Sequence, residues 1–343
     1  MTMERILVTR TDRLGDVVLS TPVARHLRKL YPDAYIAFMV KPGNRDIVED
    51  NPDINEVIIY DKEGAQKGFV GTVLFAWELR KKRFDTAIIL HPTNRSHIVA
   101  FLAGIPERVG YDKRLPFLLT KRAPHIKQEG AKHEIDYNFD LLALAGVDVT
   151  LYDRMPYMST SDADKKMVDA VIKDNGLTGE LVAMHVGASC RSKRWPTGRF
   201  AEVADRISKE FGARVIFVGG NESEGMSSSV VSLMKEEPVD LTGGLLLGEF
   251  AEFLSRCRLL ISNDSGPVHV AVAVGTPVIA VFGRKDAGLS PRRWGPVGAG
   301  DTVLHKDVGC ERCLAHECER DFACIKAVTV DEVMSSVSKV LGV

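Results

Sequence analysis

The amino-acid sequence predicts an α/β protein with two domains, each built on a doubly wound parallel sheet. Three observations predict this class. Short β-branched runs alternate with helical patterns, which is typical of a parallel sheet covered by helices. The alternation begins twice, near residue 5 and again near residue 181. A length of 343 residues also favours two domains over one.

Composition and charge limit the class of function. The chain is 45% hydrophobic and 27% charged, as expected for a globular protein. The formal net charge is -1 at pH 7, so no overall positive field predicts a nucleic-acid partner. No N-terminal signal and no apolar run of transmembrane length is recognisable, and we therefore expect a cytoplasmic protein.

The first half contains four runs that predict buried strands. They cover residues 5–9, 35–40, 56–60 and 86–90, with helical patterns at 69–82, 95–102 and 131–146. The polar stretch 148–162 follows, and we place the domain boundary between residues 158 and 159. Asp162-Ala163-Asp164 resembles a metal-binding motif, but its position just before a helical pattern favours helix capping.

The loop after the first strand carries a candidate functional carboxylate. Gly15 allows a close approach of the backbone, and Asp16 follows it directly, near the start of a helix. Asp16 either caps this helix or carries a function at the strand end, and the local pattern favours neither. The Gly-rich dinucleotide fingerprint and the P-loop are both missing here.

The second half predicts a ligand site at one edge of its sheet. Its strands are predicted at residues 181–186, 214–218, 259–261 and 277–283. Ligands of open α/β sheets bind outside the carboxyl ends of the strands. Polar loops follow residues 186, 218 and 261, and we expect these three loops to converge on one ligand.

The turn after residue 261 has the features of a phosphate site. Asp264 and Ser265 are good N-cap residues, and Pro267 suits the first helical position. A helix N-terminus beside Gly266 presents backbone N–H groups and the positive end of the helix dipole. The alternatives are an ordinary capped helix and, for His269, a histidine packed in the core.

The other two loops supply groups that match a nucleoside diphosphate. Ser189 and Lys193 offer a hydroxyl and an ammonium, and lysine is a common phosphate contact. Glu222 or Glu224 can accept hydrogen bonds from a ribose diol. Lys193 taken alone is more often a surface lysine, but its place among these loops favours a ligand contact.

Basic and polar residues also follow the strands of the first half. Each alone is more often a solvated charge, but together they can form a basic wall for an anionic ligand. They are Lys41, His91, Asn94, Arg95, Arg108, Arg114 and Lys132.

Four of the six cysteines crowd into one short segment, as Cys310, Cys313, Cys318 and Cys324. Only the first pair has the Cys-x-x-Cys spacing of a metal knuckle, so a structural zinc or iron–sulfur site is the less favoured alternative. Disulfides are disfavoured in a cytosolic protein. We expect reduced or locally paired cysteines with a structural role and no part in catalysis.

Four segments together resemble glycosyltransferase family 9, the bacterial ADP-heptose:lipopolysaccharide heptosyltransferases. They are 13–22 (RLGDVVLSTP), 193–196 (KRWP) with Phe200, 264–269 (DSGPVH) and 275–283 (GTPVIAVFG). Each is weak alone, but they occur in the family's order along almost the whole chain. The resemblance implies the GT-B architecture, in which two Rossmann-like domains face each other across a cleft. The acceptor domain would be 1–158 and the donor domain 159–329, and a helix in 330–343 would return to the acceptor domain.

The resemblance also implies roles for individual residues. Asp16 matches the general base that deprotonates the acceptor hydroxyl. The implied donor-binding residues are Ser189, Lys193, Glu222, Glu224, Asp264, Ser265, Gly266 and His269, and the candidate acceptor contacts are Arg13, Arg95 and Arg114. Such enzymes invert the anomeric centre and need no bound metal, so no catalytic cofactor is expected.

We therefore expect an inverting heptosyltransferase that moves heptose from ADP-heptose to a lipopolysaccharide inner-core acceptor. The alternatives are another GT-B enzyme, such as a nucleotide-sugar epimerase or a transferase with another donor, a non-catalytic nucleotide-sugar binding protein, and a metal-dependent regulatory module built on the cysteines. The acceptor would be lipid-linked, yet no amphipathic anchor is evident. Contact with the inner membrane is expected to be transient and peripheral, through basic loops of the first domain.

Overall fold

The computed structural model describes residues 3–342, which form two compact units. Unit 1 comprises the described residues up to Gln128 together with Glu134–Ser159. Unit 2 comprises Glu129–His133 together with the described residues from Thr160 onward. The boundary predicted after residue 158 lies one residue before the end of unit 1.

Unit 1 is built on a six-stranded parallel sheet of order β3-β2-β1-β4-β5-β6. The direction of strand addition reverses between β1 and β4, which makes the loop after β1 the usual ligand position in such a sheet. The strands are β1 (Arg5–Thr9), β2 (Tyr35–Val40), β3 (Glu56–Ile59), β4 (Thr86–Ile89), β5 (Glu107–Tyr111) and β6 (Lys121–Ala123).

The helices of unit 1 connect these parallel strands. In the second helix, Val23 and Leu27 are four residues apart on the buried face, while Arg28 and Lys29 lie in the last turn, where they suit the helix dipole. The helices are α1 (Leu14–Val18), α2 (Thr21–Leu30), α3 (Arg45–Val48), α4 (Gly68–Lys81), α5 (Asn94–Leu102) and α6 (Glu134–Ala145).

Unit 2 repeats the topology of unit 1. Its sheet has the order β12-β11-β10-β7-β8-β9, which reverses direction between β7 and β10, and all of its strand pairs are parallel. The strands are β7 (Leu181–His185), β8 (Arg214–Phe217), β9 (Val239–Asp240), β10 (Leu259–Asn263), β11 (Val278–Phe282) and β12 (Thr302–His305). The predicted α/β class with two doubly wound parallel sheets is confirmed.

The first helix of unit 2 settles the role of the Asp162-Ala163-Asp164 triplet. The Ser161 hydroxyl accepts a hydrogen bond from the Asp164 backbone, and the Asp164 carboxylate accepts one from the Ser161 backbone, which is a complete capping box. The helices of unit 2 are α7 (Asp162–Asp174), α8 (Thr197–Phe211), α9 (Glu224–Val231), α10 (Leu247–Ser255), α11 (Gly266–Ala273), α12 (Pro291–Trp294), α13 (Ala323–Lys326) and α14 (Val330–Leu341).

The C-terminal helix α14 packs within the core of unit 2. Val330, Val333, Met334 and Val337 are buried in the core of unit 2, where the helix packs on α8, β11 and β12. The structure groups this helix with unit 2, and its return to the N-terminal domain stays a prediction. Burial of four such side chains stabilises the association by several kcal/mol, at roughly 1.5–3 kcal/mol for each.

None of the helices in residues 3–342 has the length and apolar character needed to cross a membrane.

Candidate active site

The loop after β1 places Asp16 at the centre of unit 1. β1 ends at Thr9, and α1 begins at Leu14, so Asp16 lies in the first turn of α1, where the helix dipole favours a negative charge. The Asp16 side chain is only 14% exposed. Its backbone carbonyl accepts a hydrogen bond from the Ser20 hydroxyl at 2.8 Å. Asp16 is therefore held at a strand end with limited access to water.

A buried arginine organises the carboxylates around Asp16. The Arg10 guanidinium, 3% exposed, donates from Nη2 to Asp16 Oδ1 and from Nε to Asp12 Oδ1 at 2.8 Å. Its Nη1 donates to Glu134 at 3.0 Å, and Glu134 also accepts from Lys127 at 2.6 Å. No local sequence pattern marks either Arg10 or Glu134 as part of a site.

The pKa of Asp16 is raised from its ordinary value to about 6. Burial is the largest cause, because it disfavours the charged carboxylate. The positive charge of Arg10 lowers the pKa, whereas the negative charges of Asp12 and Glu134 raise it. A carboxylate with this pKa is mostly ionised at neutral pH and is more basic than an ordinary aspartate, which suits a general base.

Two adjoining cavities of about 500 and 580 Å³ lie next to this loop. They share Thr11, Tyr60 and Lys62 in their linings, and Asp12 lines the second. Arg95 and Arg114 both line the first cavity, and Arg13 lines the second. The remaining basic side chains of these linings are Lys113, His91 and His125 in the first cavity and Lys41 in the second.

The structure thus brings Arg95 and Arg114 together and places Arg13 in the neighbouring cavity. Arg95 is held by a 2.8 Å hydrogen bond from Nη1 to the Lys62 carbonyl. Arg114 has a positive φ of 63° and an exposed side chain. This concentration of positive charge suits an anionic ligand.

Three polar loops lie at one edge of the unit 2 sheet. They follow β7, β8 and β10, which are neighbours in the order β10-β7-β8, so their carboxyl ends meet at the same edge. β10 extends to Asn263, two residues beyond the predicted end of this strand. The predicted convergence of the three loops is therefore present in the topology.

The loop that carries Lys193 is tied to the end of β10. Trp195 donates from its backbone to Asn263 Oδ1 at 3.0 Å, and Asn263 donates from Nδ2 to the Val186 carbonyl at 2.8 Å. The buried Trp195 indole donates to the Val328 carbonyl at 3.0 Å. Through these contacts, Trp195 anchors the loop on which Lys193 lies, two positions earlier in the chain.

Lys193 and a second cation share one buried carboxylate. Lys193 Nζ lies 3.0 Å from Asp264 Oδ2, and Arg284 Nη2 lies 2.7 Å from the same oxygen. Arg284 follows β11, is 4% exposed, and has no hydrogen-bond partner for Nε among the described residues. Two cations on one carboxylate leave an excess of positive charge, which favours an anion at this position. No local sequence signal marks Arg284 as a site residue.

A buried histidine at the end of β7 contacts β10 and the loop that follows it. His185 Nδ1 lies 3.1 Å from both the Ser262 and the Ser265 hydroxyls. Burial lowers the pKa of His185 to about 4, so it is neutral at pH 7. A Cβ on Gly187 would lie 2.1 Å from Ser223 Oγ, so only glycine permits this approach of the loops. The Ser265 hydroxyl is engaged in this network, and its contribution to a ligand would come from its backbone.

His269, in the first turn and a half of α11, is buried, as the packed-core alternative expects. Burial, followed by the positive charges of His133 and Lys193, lowers its pKa to about 3. Its Nδ1 has no hydrogen-bond partner within the part of the chain that the structure describes. A neutral, buried ring with an unsatisfied nitrogen near Lys193 is a candidate ligand contact.

The remaining predicted donor residues are at the surface of unit 2. Ser189, Glu222 and Glu224 are exposed, and Gly266 is the first residue of α11. Glu222 lies in the 3₁₀ turn Asn221–Ser223, and Glu224 begins α9. Their solvent-accessible positions at the ligand edge leave the Glu222 and Glu224 carboxylates both available to a ribose.

The four clustered cysteines are all free thiols with partly exposed side chains. The Cys324 sulfur accepts a hydrogen bond from the Arg284 backbone at 3.4 Å, and the Cys318 sulfur accepts one from the Phe322 backbone at 3.3 Å. Across residues 3–342, no three His, Cys, Asp or Glu side chains are grouped so that they could hold a metal ion. A structural role for these cysteines stays a prediction, with a bound metal as its less favoured alternative.

Comparisons with known proteins support the same architecture. The family model described as glycosyltransferase family 9 (heptosyltransferase) matches residues 73–323. This match covers more than half of the chain. The chain belongs to glycosyltransferase family 9. It is an enzyme that transfers glycosyl groups, which removes the alternative of a non-catalytic binding protein.

Three individual proteins illustrate the family relationship. Lipopolysaccharide heptosyltransferase 2 of Escherichia coli K12 is 25% identical over 298 residues, covering 84% of this chain and 85% of the relative. The crystal structure of a family 9 glycosyltransferase from Veillonella parvula has a TM-score of 0.88 at 29% identity, covering 99% and 98% of the two chains. The structure of E. coli ADP-heptose lps heptosyltransferase II has a TM-score of 0.79 at 21% identity, with the same coverage. The predicted GT-B class is confirmed.

Proposed function

We propose that this family 9 enzyme transfers heptose from ADP-heptose to a hydroxyl of a lipopolysaccharide inner-core acceptor, with inversion at the anomeric carbon. The names of its relatives, which include an ADP-heptose lipopolysaccharide heptosyltransferase, support this choice of donor and acceptor. The proposed mechanism rests mainly on the environment of Asp16. Its carboxylate has a pKa of about 6, and Arg10 holds it in place after β1, an internal strand of the sheet.

Asp16 would act as the general base. Arg10 occupies Oδ1, so we assign Oδ2 to the acceptor hydroxyl. As the acceptor oxygen attacks the anomeric carbon, its proton passes to Asp16 and a new C–O bond forms. The bond between the anomeric carbon and the donor phosphate oxygen breaks, and ADP leaves with that electron pair. A single displacement of this kind inverts the anomeric centre.

The donor would be held by unit 2. Its diphosphate would lie between the Lys193 ammonium and the N-terminus of α11 at Ser265 and Gly266, where the helix dipole favours negative charge. Asp264 and Arg284 would keep Lys193 in position rather than take part in bond making. His269 would contact the phosphates, Ser189 would add a hydroxyl, and Glu222 or Glu224 would bind the ribose.

The general base and the cationic diphosphate site both act where charge develops during the reaction. A positioned general base is worth about a hundredfold to ten-thousandfold in rate. A fixed cation and a helix terminus stabilise the negative charge on the leaving diphosphate, and each such contact is worth several kcal/mol in a dry site. The mechanism requires no metal ion, so activity should survive treatment with EDTA.

The acceptor would be held by unit 1. The cavity lined by Arg95 and Arg114, with Arg13 next to it, suits an acceptor that carries negatively charged groups. Because this acceptor is lipid-linked, the proposal includes transient peripheral contact with the inner membrane.

Calorimetric titration with ADP, UDP, GDP and CDP tests the donor assignment. Wild-type protein should bind ADP selectively, and Lys193→Ala should weaken that binding. Lys209→Ala, which removes an exposed lysine from α8, is the matched control and should bind ADP normally. Preference for UDP would favour a different donor or an epimerase, and no nucleotide binding would refute the site.

A metal assay on purified protein tests the cysteine alternative separately. Zinc or iron at a stoichiometric level would establish a structural site at Cys310, Cys313, Cys318 and Cys324. Its absence would remove the metal-dependent regulatory module.

A further inference from the structure

Helix α4 of unit 1 presents apolar side chains to solvent along one face. Phe69, Val70, Leu74 and Trp77 are 76%, 69%, 60% and 57% exposed, and Val73 beside them is also exposed. Large apolar side chains are commonly exposed one at a time, but a contiguous group usually marks a contact surface. We call these five residues the α4 surface.

The opposite side of α4 packs normally against unit 1. Thr72, Ala76 and Leu79 are buried, and at 3.6 residues per turn they project away from Val70 and Trp77. A surface helix usually carries polar residues on its outer side. Because α4 is apolar on both sides, it has the character of a helix placed between a protein core and a second apolar phase.

Basic residues flank the α4 surface at both of its ends. Residues 67–83 contain five basic side chains and one acidic one, Glu78, a net charge of +4 in a chain whose total is -1. The Lys81 Nζ lies over the Trp77 ring, 3.7 Å from the ring centroid. The basic side chains are Lys67, Arg80, Lys81, Lys82 and Arg83.

The neighbouring helix extends the same character. α5 packs against α4 and exposes Phe101 and Leu102. The Arg108 guanidinium lies 5.5 Å from the ring centroid of Phe101. Aromatic and aliphatic side chains bordered by lysine and arginine are typical of helices that lie in the interface of a bilayer.

We propose that α4 is the membrane-docking surface of this enzyme and that its partner is a bilayer rich in anionic lipid. The α4 surface enters the boundary between headgroups and acyl chains, and the surrounding lysines and arginines contact the lipid phosphates. At about 21 Å, the 14-residue helix has the length to lie flat in this boundary. From the sequence alone, no amphipathic anchor is evident, and membrane contact is expected only through basic loops of the first domain.

Charge favours a bilayer over a second copy of the chain. A symmetric dimer would place the same patch of each copy against the other, so the basic groups around one α4 surface would meet those around its partner. An anionic bilayer neutralises them instead. The inference takes only the lipid-linked acceptor from the proposed function, and binding to vesicles that hold no acceptor tests it independently of sugar transfer.

Vesicle co-sedimentation of the full chain is the first test. Wild-type protein should bind vesicles of phosphatidylethanolamine with phosphatidylglycerol, and should bind phosphatidylcholine vesicles at least tenfold more weakly. Leu74→Glu and Trp77→Glu should each weaken the binding to anionic vesicles by about tenfold or more, because each removes an apolar group and adds a repelled charge. Leu151→Glu, at an exposed loop leucine of unit 1, is the matched control and should bind as wild type does.

Quenching by brominated lipid tests insertion directly. Trp77 is the exposed member of the three tryptophans, since Trp195 is buried and Trp294 is partly buried. Brominated acyl chains should quench part of the tryptophan fluorescence when vesicles are added, and Trp77→Phe should abolish that quenching.

Three results would overturn the proposal. Wild-type protein could show no preference for anionic vesicles, or both glutamate variants could bind vesicles as wild type does. The third is a wild-type dimer that these variants convert to monomers with no change in vesicle binding. ADP titration and circular dichroism of the same variants show whether they remain folded. Glutamate variants that bind ADP normally but no longer bind vesicles would support the membrane surface. A wild-type protein without ADP selectivity would contradict the proposed function but not this surface.

Discussion

Lowering the pH from 7 to 5 should reduce kcat/KM about tenfold. Asp16 must be ionised to accept a proton, and its pKa is about 6. The ionised fraction is then about nine-tenths at pH 7 and about one-tenth at pH 5. An aspartate with the ordinary pKa near 3.9 would remain about nine-tenths ionised at pH 5 and would give a flat profile over this range. The profile therefore reports the buried environment of Asp16.

Asp16→Asn provides the matching mutational test. It should lower kcat by about a hundredfold to ten-thousandfold, the contribution of a general base, and leave ADP affinity unchanged. Because the folded-state pKa of Asp16 is raised above its unfolded value, its ionisation costs stability as pH rises from about 4 to about 6, and the cost persists above pH 6. Asp16→Asn should therefore melt no lower than wild type at pH 7.

The assay is release of ADP from ADP-heptose in the presence of an inner-core acceptor, with circular dichroism at each pH to verify folding. Asp12→Asn is an informative companion, because the negative charge of Asp12 raises the pKa of Asp16. This variant should move the acidic limb of the profile to lower pH. Constant kcat/KM between pH 5 and pH 7, or an Asp16→Asn enzyme within tenfold of wild type, would refute the assignment of Asp16 as base.

Three further predictions follow from particular contacts. Lys193→Ala should weaken ADP binding by about tenfold to a hundredfold in calorimetry, the usual value of a hydrogen bond to a charged group, and Lys193→Arg should retain part of the affinity. Arg114→Ala should raise the KM for acceptor in steady-state kinetics while the Kd for ADP stays constant, since Arg114 lines a cavity of unit 1. Gly130→Ala should lower thermal stability by more than about 1 kcal/mol, because Gly130 has φ of 57° and a Cβ there would lie 1.9 Å from the Ala287 carbonyl oxygen. Gly146→Ala, also at positive φ but with open space around it, should cost less in the same melt.

Local sequence pattern predicts most internal strands and misses three of the four edge strands. β2 is predicted to the residue, because a strand buried on both faces is a continuous apolar run. β5, β6, β9 and β12 are not predicted. Three of these are edge strands, which are short or polar, and β6 is only Lys121–Ala123. Their pairing is decided by the neighbouring strand, which local pattern does not contain.

Periodicity indicates which face of a helix is buried but not what covers it. The apolar stripe of α14 is evident in the sequence, but only the structure shows that this stripe packs on α8, β11 and β12. In α4, an apolar character on both sides resembles a buried helix, and only the structure shows that Leu74 and Trp77 face solvent.

The candidate site is predictable where it depends on strand ends. Asp16, Lys193 and Asp264 all lie just after predicted strands, so topology alone brings them to ligand edges. Arg10 and Glu134 are separated by 124 residues, and no local signal connects them. Their contact, which fixes Asp16 and shapes its pKa, is a property of the folded unit.

The charge balance of the two centres supports different roles for their carboxylates. Around Asp16, two cations, Arg10 and Lys127, face three carboxylates, those of Asp16, Asp12 and Glu134, and the excess negative charge makes proton uptake easier.

Around Asp264, two cations, Lys193 and Arg284, face a single carboxylate, and the excess positive charge favours an anion. Deprotonating an alcohol requires the first arrangement, and stabilising a departing diphosphate requires the second. Exchanging the roles would place a base among cations that oppose proton uptake and a diphosphate beside carboxylates that repel it. The same topology in each unit thus supplies two strand-end sites, and the sign of the buried charge distinguishes their chemistry.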